Sequence, residues 1–93
     1  MRAHSTATFS PLRVRFEEAR TRAEARKREI DEEIRRYPTP IPRCDAQFNR
    51  LFAERDNLAS LIERAREIAG DDSPAERIEE WLARFERAIE SAR

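Results

Sequence analysis

Tyr37-Pro38-Thr39-Pro40-Ile41-Pro42-Arg43-Cys44 decides the fold of this chain. Proline at 38, 40 and 42 removes three backbone donors, fixes three φ angles and turns each preceding residue away from the α region. No helix runs through such a stretch. The residues on either side carry long helical patterns, so the segment reads as a stiff hinge about which the chain reverses.

Before the hinge, Ser10-Pro11 reads as an N-cap followed by the first helical position, since the Ser oxygen accepts an orphan amide and Pro has no amide to orphan. Helix 1 is expected over about 11–36. Its apolar or small residues fall at Phe9, Leu12, Phe16, Ala19, Ala23, Ile30, Ile34 and Tyr37, a three-four spacing in which Arg26 occupies one seam position. Outside the seam, Glu18/Arg22, Glu24/Arg28, Asp31/Arg35 and Glu32/Arg36 place an acid four residues before a base, each pair adding a few tenths of a kcal/mol to the helix.

After the hinge, helix 2 is expected over about 45–69, with Gly70 as its left-handed cap. Phe48, Leu51, Leu58, Ile62, Ala65 and Ala69 form a seam interrupted by Arg55, and Phe52, Ala59, Leu61 and Ile68 flank it. That apolar arc is wider than contact with one helix requires. Ser73-Pro74-Ala75-Glu76 is a capping box with Pro at the first helical position, opening helix 3 over about 74–92. Ile78, Trp81, Leu82, Phe85, Ala88, Ile89 and Ala92 make its stripe, which can cover the spare flank of helix 2. The expected fold is all-α: an antiparallel hairpin of two long helices with a shorter third helix, a three-helix bundle that oligomerisation could complete. Residues 1–9 read as a disordered tail and 10–93 as one domain.

Composition agrees with long helices: charged residues (41%) slightly outnumber apolar ones (39%), and there is one Gly. Residues 1–43 carry eleven bases against seven acids and residues 44–93 eight against twelve, so halves of +4 and −4 attract each other or a second copy. Only Lys27 among the nineteen basic residues is not Arg, so arginine abundance alone argues nothing about partners. One Cys excludes an internal disulfide, and with His4 the sole histidine no structural zinc set is expected. No cofactor is implied. No apolar run has the length of a bilayer span, which points to a soluble, cytoplasmic protein.

Folding back at the hinge pairs residues whose numbers sum to roughly 81 and sets Arg26 beside Arg55. Two guanidiniums at one seam need carboxylates or an anion between them. Pairing with Glu29 and Glu54 would fix the register of the hairpin, whereas an unmatched pair would suit phosphate or carboxylate. The cluster Arg20, Arg22, Arg26, Lys27 and Arg28 is interleaved with Glu18, Glu24 and Glu29 and holds no aromatic to stack on bases, so an ion-paired face is expected over a nucleic-acid site. Cys44 stands near a helix start without the His or Asn of a nucleophile system.

The primary functional expectation is a non-catalytic interaction or assembly module that binds itself or a helical partner, with Phe52, Leu61, Ile68, Trp81 and Phe85 as candidate contact residues. The alternative is a small enzyme or sensor taking an anionic metabolite at Arg26 and Arg55. Asp45, Phe48, Leu51, Phe52 and Arg55, followed by Arg66 and Glu79, resemble the helix spacing of active-site residues in AroQ-type chorismate mutases. The resemblance covers about a third of the chain and departs from the family where its upstream arginine would fall on Pro38, where Arg66 replaces its lysine, and where the hinge interrupts its continuous first helix. A third reading is a nucleic-acid accessory protein using the basic end of helix 1.

Overall fold

The computed structural model describes residues 11–42, 44–69 and 74–91, and these form three helices and their connections. Helix α1 is Pro11–Arg35, α2 is Ala46–Ala69 and α3 is Ala75–Ser91. The expected N-terminal tail, the Ser10 and Ser73 caps and the Gly70 cap fall outside the described residues.

Helix α1 stops where the prolines require it. Arg36 N–H still donates to the Glu32 carbonyl, and Tyr37 N–H then tightens to an i→i−3 bond on Ile34. On the far side α2 begins at Ala46 rather than at Asp45, because Asp45 is the cap itself. Its Oδ1 accepts from the Phe48 amide at 2.9 Å, satisfying one donor the first turn would orphan.

The third helix runs antiparallel to α2 and alongside α1 in an up-down-up bundle. Phe16 of α1 meets Trp81 edge-on at 5.1 Å, and Arg22 lies over the Phe85 ring further along both helices. Leu58 of α2 faces Ala88 and Ile89. The core joins Phe16, Ala19, Ala23 and Ile30 to Leu51, Leu58, Leu61, Ala65 and Ile68 and to Ile78, Trp81, Leu82 and Phe85. Ala19, Ala23 and Ala65 let the axes approach where the large rings of α3 enter. Among the described residues no polar or charged residue is fully buried. Trp81 brings a polar atom into the core, and its indole N–H donates to the Leu61 carbonyl at 2.8 Å.

The arc of α2 that looked spare is therefore divided. Its Leu61 and Ile68 side is closed by α3, while Phe52, Ala59 and Ile62 face the other way and stay half-buried.

Candidate functional site

Four of the five residues expected to contact a partner lie in the core. Leu61, Ile68, Trp81 and Phe85 retain between 2% and 7% of their exposure, so a closed bundle cannot offer them to another molecule. The correction has a simple cause: the stripe of α3 is spent on its own chain. Phe52 alone keeps part of its surface, with Arg55 over its ring at 4.7 Å and Phe48 edge-on at 4.9 Å.

Of the outcomes expected for Arg26, pairing with Glu54 and Glu29 is the one formed, while Arg55 takes other carboxylates. Arg26 binds Glu54 through two parallel bonds, Nε to Oε2 at 2.8 Å and Nη2 to Oε1 at 3.1 Å, and Glu29 takes its third donor at 3.1 Å. Glu54 lies in the α2–α3 cleft with Ala88 and Ile89. Arg55, turned 100° from Glu54 on the helix, reaches Asp31 at 3.9 Å and Asp56 at 3.8 Å. Asp31 also holds Lys27, which lines the opposite groove with Ile62. The Arg26–Glu54 pair sums to 80, within the register expected around 81. Glu54 raises the Arg26 pKa further above its already high value, with burial opposing the effect.

The remaining charges follow the same pattern. Of the four i,i+4 pairs expected on α1, Glu32/Arg36 forms, while Glu32 also takes Arg35, and Asp31 turns to Lys27 and Arg55. The basic cluster of α1 is dispersed: Arg20 binds Glu17 and Arg22 covers Phe85, away from Lys27. Arg66 pairs with Glu63 at 3.7 Å and Glu79 is exposed on α3, so Arg55, Arg66 and Glu79 are not gathered into one site.

At the hinge, Tyr37 donates its hydroxyl to both Asp45 oxygens at 2.8 and 2.9 Å and packs edge-on against Phe48. The Phe48 amide and the Tyr37 hydroxyl hold the Asp45 carboxyl below its ordinary pKa, and the same carboxylate raises the Tyr37 phenol. Cys44 is exposed beside this cap.

What the geometry leaves open is the α1–α2 face turned away from α3. A groove of about 430 Å³ runs along it, with Ala59 and Ile62 on its floor. Glu24, Lys27 and Arg28 form the α1 wall and Glu63 and Arg66 the α2 wall. Phe52 and Arg55 continue the same face of α2 by helical spacing.

No protein-family profile, characterised protein or solved structure matches this chain. The groove must therefore be read from its own chemistry. Among the described residues no cluster of His, Cys, Asp or Glu could hold a metal ion, and no helix is long and apolar enough to cross a membrane.

Sequence periodicity grouped Phe52, Ala59, Leu61 and Ile68 as flanking residues of one arc. Missing was the direction in which each half would be covered. The 100° step from Leu61 to Ile62 carries that information once α3 is placed by Trp81.

Proposed function

We propose that this protein is a non-catalytic helical assembly module that binds a second copy of itself through the α1–α2 face opposite α3. The observation that carries this reading is the open groove floored by half-buried Ala59 and Ile62 and walled by charges of both signs, with half-buried Phe52 continuing the same face of α2. Ala59 is small and central, which suits close approach of two helices.

An antiparallel copy of α2 with its two-fold axis at Ala59 places residues whose numbers sum to 118 opposite one another. Arg55 then faces Glu63 of the second copy, and Phe52 faces the stem of Arg66 of the second copy. Each contact occurs twice by symmetry. A parallel copy would instead set Arg55 on Arg55 and Glu63 on Glu63. Charge complementarity therefore favours a twin in the antiparallel sense.

The test is the solution mass by light scattering after size exclusion over a concentration series. The wild type should dimerise, and Ala59→Arg should be monomeric with its helical circular dichroism retained, because position 59 lies outside the core. Glu63→Arg should also dissociate the dimer and Arg55→Glu should restore it in that background. A wild type that is monomeric throughout the series refutes the reading.

A further inference from the structure

Helix α1 carries a charge pattern along its groove-side flank. Arg13, Glu17, Arg20, Glu24, Lys27 and Asp31 follow one another at alternating steps of four and three, so they form one stripe in which the sign of the charge changes at every step. Glu24 and Lys27 wall the groove, and Asp31 reaches across to Arg55 of α2. Arg15 and Arg22, on the other flank of α1, turn instead to Glu86 and Phe85 of α3. The stripe is the α1 edge of the face that α3 leaves open.

Its alternation is self-complementary. Antiparallel copies of α1 related by a two-fold axis at position 22 place residues whose numbers sum to 44 opposite one another. Arg13 then faces Asp31 of the second copy, Glu17 faces Lys27 and Arg20 faces Glu24, each contact occurring twice. A slip of one turn destroys the match in either direction. One sense sets Glu24 on Glu24 and Glu17 on Asp31, and the other sets Arg20 on Arg20 and Arg13 on Lys27. Parallel copies in phase set every residue of the stripe on its own kind.

Position 22 also lies where an axis through Ala59 would cross α1. Arg26 bonds Glu54 across the hairpin, so position 22, four residues back along α1, stands level with Ala59, five residues on along α2, to within about 1.5 Å. The α1 stripe and the α2 row, taken separately, give the same two-fold axis.

We infer that α1 packs antiparallel on α1 of the second copy and that this stripe sets the register and the choice of partner, an assignment that rests on the assembly reading of the α1–α2 face. Within one chain Arg20 leans on Glu17 and Lys27 on Asp31. The second copy joins these pairs into a network, and charges so arranged decide register and partner more than they decide affinity.

Charge reversals tested singly and mixed decide the matter. Glu24→Arg opposes Arg20 of its twin, and Arg20→Glu opposes Glu24, so each variant alone should dimerise about tenfold more weakly than wild type or worse, two pairs being reversed by symmetry. Mixed together, the two variants regain both pairs and should form a heterodimer of near wild-type affinity. Energy transfer between donor-labelled and acceptor-labelled Cys44 over a concentration series reads both, and circular dichroism checks the fold of each variant. Glu18→Arg, exposed and outside the stripe, should leave self-association unchanged. If Ala59→Arg dissociates the dimer while both reversals self-associate like wild type, α1 does not meet its twin and the α2 pairing stands alone. A mixture as weak as its components, or an equal loss in Glu18→Arg, overturns the role of the stripe as well. A wild type that is monomeric throughout the series removes both the stripe contact and the α2 pairing.

Discussion

Cutting the Arg26–Glu54 pair from its two ends should give unequal losses, and the inequality follows from what each cut leaves behind. Glu54 keeps 11% of its side-chain exposure and Arg26 keeps 35%. In Arg26→Ala the carboxylate is stranded in the α2–α3 cleft without its fork, which should cost about 2–3 kcal/mol. In Glu54→Ala the guanidinium still has Glu29 at 3.1 Å, Glu33 at 3.8 Å and access to water, so the loss should be only about 1 kcal/mol. For a domain of this size each kcal/mol moves the melting midpoint by about 4–8 °C. Thermal melts followed at 222 nm on the two single variants and the double variant give the coupling, expected at about 1–2 kcal/mol. Replacing both residues by Leu should be nearly neutral, because the costs of desolvating the two charges disappear together. An equal or larger loss in Glu54→Ala, or coupling near zero, would show that the pair is a surface contact and does not set the register of the hairpin.

Other consequences follow from the core and the cap. Trp81→Ala should cost about 3–5 kcal/mol through the cavity it leaves beside Phe16 and Phe85, whereas Trp81→Phe should cost clearly less, since the Leu61 carbonyl can keep its helical donor; denaturant melts decide the order. Ala23→Leu adds volume at a fully buried position and should destabilise by about 1–3 kcal/mol, read in the same melts. Asp45→Ala removes the α2 cap and the Tyr37 acceptor and should lower the melting midpoint at neutral pH. Because the folded carboxyl titrates below its unfolded value, the Asp45 contribution is complete above the unfolded pKa and is lost as pH falls through the folded one. The gap between wild type and Asp45→Ala should therefore close in acid, below about pH 4, and a gap that persists there would contradict the assignment.

The architecture was readable because several local signals agree. Three prolines forbid one continuous helix, and three-four apolar spacing marks each arm. Helix α3 was legible as the cover for one flank of α2, but which residues of the wide arc it would cover was not. Leu61 and Ile62 are equally apolar neighbours, and only the position of Trp81 sends one into the core and leaves the other at the groove. Glu54 and Glu29 were legible as carboxylates for Arg26, but a register known only to within about a turn did not show that Arg55 would reach Asp31.

The antiparallel twin is tested most directly by a distance measured through the one native thiol. Cys44 is exposed and lies fifteen residues from the proposed axis at Ala59. At 1.5 Å per residue, spin labels on the two copies should be about 45 Å apart along the paired helices. Dipolar electron resonance on the singly labelled protein should show one distribution near that distance, and it should vanish in Ala59→Arg. A distance of about 20 Å would mean parallel copies with their hinges together, and no intermolecular coupling at concentrations where the chain is folded would mean that the groove does not receive a second copy.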